Sequence, residues 1–237
     1  MPKVKLSIVI PNYREKDLID ATYKKLKVVK SLGIPYEIII VNDGGENIVL
    51  PPELLSDSIE IFNLDKNLGK GFAIFYGVDK AKGEYILYID ADNDIDPDII
   101  EKLYYTIESE DVDMVYANKY HPLSEVKRGF IRNFGGRIIN LLIHTIIDID
   151  IKDTQTGAKI YKGEVLKHIK DIRLGVANGF AFEVENAILL KKIKSRTKDI
   201  PVKITPSSQS SISFFTIIEF LKEVFKLKKY YYKSIKG

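Results

Sequence analysis

Four short apolar runs rich in β-branched residues, at 5–10, 36–41, 59–64 and 85–89, alternate with longer stretches of helical period. That alternation predicts βαβ units and a mostly parallel sheet flanked by helices. Residues 15–32 and 69–81 carry the helical spacing, and each stretch stops at or just before a glycine, Gly33 or Gly83, suited to end a helix. Pro97 after Asp96 opens a third helix that runs to about Ser109, and 114–117 reads as a fifth strand. Beyond Tyr120 the pattern changes. An amphipathic helix is predicted over 128–148, a polar turn at 153–157, a strand at 158–161, helices at 163–169 and 182–193, and a strand near 200–204. A last helix, 213 to about 232, sets Phe214, Ile217, Ile218, Leu221, Val224 and Phe225 on one face. With no internal repeat or low-complexity linker, the chain reads as one α/β domain, 1–212, with an amphipathic basic helix at 213–237.

At 237 residues and 45% hydrophobic content, such a chain can bury one sizeable core. Its 36 basic and 33 acidic side chains nearly cancel, so no global field points to nucleic acid. The absence of cysteine excludes disulfide scaffolds, thiolate metal sites and cysteine nucleophiles. The first eleven residues carry lysines and no signal-peptide core, and the two greasiest stretches, 138–151 and 214–227, are broken by polar residues. A cytoplasmic protein without a transmembrane helix is expected.

The chemistry concentrates where predicted strands end. The run 85–89 leads directly into Asp90-Ala91-Asp92-Asn93-Asp94, and open parallel sheets bind ligands at the carboxyl ends of their strands. Two carboxylates one residue apart on an extended chain point the same way and can share Mg²⁺ or Mn²⁺ while leaving positions for phosphate oxygens. The plainer alternative is an acidic cap on the helix opening near Pro97. Asp43, in Asn42-Asp43-Gly44-Gly45, either accepts hydrogen bonds from a nucleobase or belongs to a tight turn. Asn67, Gly69 and Lys70 open a helix that either meets a phosphate or is simply capped, and the spacing is not that of a Walker loop. Arg128, Arg132 and Arg137 lie near one helical face, as a phosphate grip or a solvated basic stripe. His121, His144 and His168 show no metal-ligand spacing and receive no role, and no serine-hydrolase arrangement is present.

Taken in order, 8–15 (Ile-Val-Ile-Pro-Asn-Tyr-Arg-Glu), 41–45, 67–72 and Asp90-Ala91-Asp92 resemble the family 2 glycosyltransferases of the GT-A fold. The runs 153–161, 179–185 and Ile200-Pro201-Val202 narrow the resemblance to the dolichyl-phosphate mannose and glucose synthases. It implies that Pro11, Tyr13, Glu15 and Asp43 contact the nucleoside, that Asn67, Gly69, Lys70, Asp90 and Asp92 hold the nucleotide-sugar, and that Asp94 joins Asp90 and Asp92 at the metal. It also implies that Arg137 and Asn140 meet phosphate, with Arg132 a second candidate, and that Asp92 and Arg137 are the catalytic residues. Three departures stand out: Asn42 replaces a carboxylate, Arg14-Glu15 replaces Asn-Glu, and 207–213 is serine-rich where the relatives carry Arg and then Gly-Ser-Lys.

The implied reaction is inverting transfer of mannose or glucose from GDP-mannose, UDP-glucose or UDP-N-acetylglucosamine to a polyprenyl phosphate at the cytoplasmic membrane face. A phosphate monoester is already largely ionised at neutral pH, so no strong general base is required. The lysine-rich last helix could lie on the membrane surface or pack on the core, and a membrane-anchoring partner is a third route. Two other functions fit the same residues: transfer to a soluble, protein or glycan acceptor, and nucleotide binding without catalysis.

Overall fold

The computed structural model describes residues 3–55, 58–127, 130–206 and 214–233, without the side chains of 130–136, 138, 214–217 and 232–233. In chain order the elements are β1 (Leu6–Asn12), α1 (Leu18–Ser31), β2 (Tyr36–Asn42), β3 (Ile59–Asn63), α2 (Lys70–Lys80), β4 (Tyr85–Ile89), α3 (Ile99–Ser109) and β5 (Met114–Asn118). There follow β6 (Glu125–Val126), α4 (Phe130–Ile146), β7 (Ala158–Lys162), α5 (Gly163–Ile172), α6 (Phe182–Lys192), β8 (Thr197–Pro201), β9 (Lys203–Ile204) and α7 (Phe214–Lys233). Seven strands form one sheet in the order β3-β2-β1-β4-β7-β5-β8.

The strands are apolar on both faces because helices cover both. Val9, Ile39, Tyr88 and Tyr161 point into one core with α2, α5, α6 and α7. Ile8, Ile38, Leu87 and Ile160 point into the other with α1 and α3.

All pairings are parallel except those of β7, which runs antiparallel between β4 and β5. No pattern in 158–161 announces that reversal. β5 ends at the carboxyl edge of the sheet, and β7 starts back from the same edge. The 153–157 turn is thereby brought against the end of β4, where Asp90 N–H donates to Gly157 O at 2.9 Å.

The predicted strand at 200–204 is two strands in two sheets. Pro201 has no N–H to continue a ladder, and Val202 N–H turns to Ser124 Oγ at 2.9 Å. β9 then pairs with β6, and Thr205 N–H donates to Asp94 O at 2.8 Å, which ties this small sheet to the acidic turn.

In α7, Phe220, Val224, Leu227 and Tyr231 are buried in the shared core, whereas Phe225, expected on the apolar face, is exposed. Tyr231 Oη donates to Glu185 Oε1 at 2.8 Å, so one polar anchor fixes the helix to α6. Among the described residues no helix is long and apolar enough to cross a membrane.

Candidate active site

The carboxyl edge collects the chemistry. β1, β2, β4 and β5 end there, and the reversed β7 begins there. At matching register, Asn12, Asn42 and Asn63 form a ladder across three strand ends, with Asn12 Nδ2 to Asn42 Oδ1 and Asn42 Nδ2 to Asn63 Oδ1 both at 2.9 Å. Asn42 Nδ2 also reaches Glu46 O at 2.9 Å. A carboxylate has no hydrogen to donate, which explains the amide at a position where a carboxylate was the family expectation.

Asp43 is buried and accepts Leu68 N–H and Gly69 N–H, each at 2.8 Å. It therefore shapes the loop ahead of α2. Gly44 (φ 83°) packs so closely on the backbone of Lys66 and Asn67 that no side chain fits. Asn67 Oδ1 accepts Gly69 N–H at 3.1 Å, and Gly69 begins α2 with no side-chain cap. Near the end of β1 Pro11 is buried, and on the loop that follows Tyr13 is exposed under the Arg14 guanidinium at 5.2 Å and Glu15 Oε1 accepts Asp17 N–H at 3.2 Å.

The acidic turn does not cap α3. Ahead of that helix it is Asp96, outside the 90–94 turn, whose Oδ1 accepts Asp98 N–H at 3.2 Å, while within the turn Asp92 Oδ1 accepts Asp94 N–H at 3.1 Å. Lys70 Nζ instead lies 2.5 Å from Asp90 Oδ1. Burial opposes the charge on Lys70, but Asp90, with help from Glu183 and Asp92, outweighs it and raises the pKa. On the other side Lys25 Nζ donates to Asp92 O at 2.8 Å; burial pushes its pKa down to about 8 against the pull of Asp92 and Asp90. Asp92 is pushed up to about 6 by burial, then by Asp90 and Asp94. At Gly157 any side chain would run into the Asp90 carboxylate, so glycine is required where the turn backs the acidic strand end.

Among the described residues no three of His, Asp and Glu form a ligand set, so the expected trio Asp90, Asp92 and Asp94 is not gathered around one point. Asp94 is buried and acts on Asp92 through its charge. Two carboxylates suit Mg²⁺ or Mn²⁺ shared with a diphosphate, since such ions are commonly held by one or two carboxylates and completed by phosphate oxygens and water. The raised Asp92 marks a cluster short of positive charge, which fits a divalent ion. Because a proton and the metal compete for the same oxygens, Mn²⁺ affinity in the presence of UDP or GDP is expected to fall about tenfold per pH unit below about pH 6. Titration calorimetry at pH 5.0, 6.0 and 7.5 checks this, and equal affinities at all three would remove Asp92 from the metal site.

Beneath this cluster lies a buried polar layer that the sequence reading missed. Lys159 Nζ contacts Glu183 Oε2 at 2.5 Å and donates to Thr154 O at 2.7 Å, while Tyr88 Oη donates to Glu183 Oε2 at 2.8 Å. Burial pushes Glu183 up and Lys159 down. Asp153 accepts Lys119 N–H at 2.9 Å, Lys119 Nζ at 2.8 Å and the Thr156 hydroxyl; burial would raise it, but Lys119 and these bonds hold it below the carboxylate range. Lys25 had a legible signal: it shares the α1 face of Leu18, Ala21, Thr22, Leu26 and Val29, where a lysine requires a buried partner. Lys159 and Glu183 had none, because their pairing depends on where β7 and α6 meet.

A cavity of about 400 Å³ is lined by Tyr120, Arg137, Asn140, Leu141, His144 and Lys152. Asn140 Nδ2 donates to Lys152 O at 2.8 Å, joining α4 to the segment ahead of the 153–157 turn. Arg137 and Asn140 line one cavity, and His144, given no role from sequence, shares their wall. The Arg132 side chain and the serine-rich stretch 207–213 fall outside the described residues.

A mostly parallel sheet with helices on both faces and an acidic turn at the end of an inner strand is the architecture of GT-A glycosyltransferases. Residues 7–170 match the model of glycosyl transferase family 2, and the chain belongs to that family. Among its relatives, a dolichyl-phosphate beta-glucosyltransferase from Dictyostelium discoideum is 28% identical over 97% of this chain and 76% of its own length. A dolichol-phosphate mannosyltransferase from Pyrococcus furiosus is 24% identical over 96% of this chain and 64% of its own. The solved mannosyltransferase PcManGT from Pyrobaculum calidifontis, in complex with GDP-Man and Mn²⁺, shares the fold at 16% identity and TM-score 0.55, over 98% of this chain and 64% of its own.

Proposed function

We propose that the protein transfers a hexose, mannose or glucose, from a nucleotide-sugar to a polyprenyl phosphate, with inversion, as a peripheral protein at the cytoplasmic face of a membrane. The observation that carries this reading is the cavity of Arg137, Asn140, His144 and Lys152 on the same sheet edge as Asp90 and Asp92. One edge then offers carboxylates for a metal-bound diphosphate and, beside them, cationic and amide groups for an anionic acceptor. Lys152 and His144 supply donors in this cavity, in a sequence that lacks the Arg and Gly-Ser-Lys expected after Val202. Leu141 lines the cavity and is exposed, as is Phe225 of α7, and both suit an isoprenoid tail at a bilayer surface.

In this mechanism the strand-end loops seat the nucleoside near Pro11, Tyr13, Glu15 and Asp43. Asp90 and Asp92 would hold the metal, which when bound would neutralise charge gathering on the departing diphosphate. Lys70 leaves or shares Asp90 to meet the same phosphates from the start of α2. Arg137 and Asn140 hold the acceptor phosphate for in-line attack on the anomeric carbon: the acceptor oxygen forms the new bond as the bond to the diphosphate breaks. The acceptor arrives ionised, so no side chain has to remove a proton.

Donor choice is tested by thermal stabilisation with GDP-mannose, UDP-glucose and UDP-N-acetylglucosamine, each with and without Mn²⁺. The acceptor is tested by transfer of labelled sugar into an organic-soluble polyprenyl phosphate. Arg137→Ala is expected to lower that transfer by about 10²-fold while leaving nucleotide-sugar stabilisation intact. Transfer only to a soluble, protein or glycan acceptor would replace this reading with the soluble-acceptor one.

A further inference from the structure

The segment between α5 and α6 ends in an exposed aromatic ring at the donor site. Its backbone is clamped from several sides. Gly71 N–H donates to Asn178 O at 2.8 Å, and the Arg173 guanidinium donates to Ala177 O at 2.7 Å. Gly69 (φ 101°) and Gly71 lie too close to Asn178 and Phe182 to carry side chains, and on α7 the Glu223 carboxylate lies where a side chain on Gly179 would point. From this fixed platform Phe180 stands 49% exposed, with the Lys70 ammonium 5.9 Å from its ring centre. The same ammonium contacts Asp90 at 2.5 Å.

A half-exposed phenyl ring is ordinary on a mobile surface loop. On a clamped loop, one cation away from the carboxylates that hold a diphosphate, it is placed to be covered when ligand binds. The geometry points to Phe180 as the platform for the hexose of the nucleotide-sugar, its face packing on the apolar C–H face of the pyranose while Lys70 and Asp90 manage the diphosphate beside it. This rests on the donor-site reading above. The sugar is the part of the donor that continues past the second phosphate, so a ring next to the phosphate-binding lysine reaches it. An aromatic face also favours a sugar whose stacked side carries hydrogens over one that turns an axial hydroxyl into the ring, which makes the residue a determinant of the hexose accepted.

The test compares the nucleotide-sugar with its bare nucleotide. Titration calorimetry with Mn²⁺ is run for UDP-glucose against UDP and GDP-mannose against GDP, on the wild-type chain, Phe180→Ala and Phe180→Trp. For whichever pair the wild type binds, Phe180→Ala is expected to weaken the nucleotide-sugar by about tenfold and leave the nucleotide within about twofold, with Phe180→Trp restoring most of the loss. A Phe180→Ala protein that binds both forms as the wild type does overturns the platform. So does one that weakens both equally, or one whose only change is a higher KM for the polyprenyl phosphate. If the wild type binds no nucleotide or nucleotide-sugar, the donor-site reading itself falls and takes the platform with it.

Discussion

Asp92→Asn is expected to reduce sugar transfer by at least about 10²-fold while raising the melting temperature of the protein in EDTA at pH 7. Both effects come from the same carboxylate. Asp92 ionises near 4 in an unfolded chain and at about 6 in the folded one, because burial, Asp90 and Asp94 all disfavour its charge. Between those values the folded state binds the extra proton, so stability falls as pH rises through the window and the full cost is present above about pH 6. Asparagine removes that charge, and after allowance for partial hydration the gain is roughly 1–2 kcal/mol, several degrees for a domain of this size. The gain is expected to shrink as the pH is lowered toward 4. Scanning calorimetry at pH 4.5 and 7.5 beside a transfer assay decides the matter. An inactive variant that is no more stable at pH 7.5 would mean that Asp92 is not held in an unfavourable charged state, and an active one would remove it from the mechanism.

Glu183→Ala is expected to have the largest effect on stability. Lys159 would lose its carboxylate partner at a position with 1% side-chain exposure, and Tyr88 would lose its bond to the same carboxylate. Stranding one member of a buried pair costs about 3–5 kcal/mol, which corresponds to a fall in melting temperature on the order of 10 °C in a chain of this length. The double variant Lys159→Met with Glu183→Leu removes both charges and is expected to recover most of that loss. Its transfer activity is expected to stay low even so, because Lys159 also holds Thr154 O and hence the turn whose Gly157 backs Asp90. Full activity in the stable double variant would show that the pair serves stability alone.

The sheet was readable because its strands are apolar on both faces and separated by helical periods that end at glycines, signals that survive in a linear text. Elsewhere local signals fell short. Pro201 and Val202 look like the middle of one strand, and only the Ser124 hydroxyl accepting Val202 N–H reveals the break. The lysines and apolar face of α7 fit a membrane surface and core packing equally; Val224 and Leu227 are fully buried and Tyr231 is bonded to Glu185, so that part of the helix packs on the core. Phe225 follows Leu221 at helical spacing, but the buried stripe of α7 is Phe220, Val224, Leu227 and Tyr231, and Phe225 lies off it.

At the site, the acidic turn, the glycines and Lys70 lie in short consecutive runs next to a strand end or helix start, so the sequence alone marked them out and placed them on one edge. What only the tertiary structure decided is which charges meet. Lys70 finds Asp90, Lys25 finds the Asp92 carbonyl from α1, and Lys159 finds Glu183 across the reversed strand β7. These partners are 20, 67 and 24 residues apart in the chain. Periodicity reports which face a residue presents, not what the facing element holds, and the energy of a buried charge depends on that partner. The Asp90-Ala91-Asp92 turn could therefore be named from the sequence, while its electrostatic state, one carboxylate pushed up and another paired with a lysine, belongs to the fold.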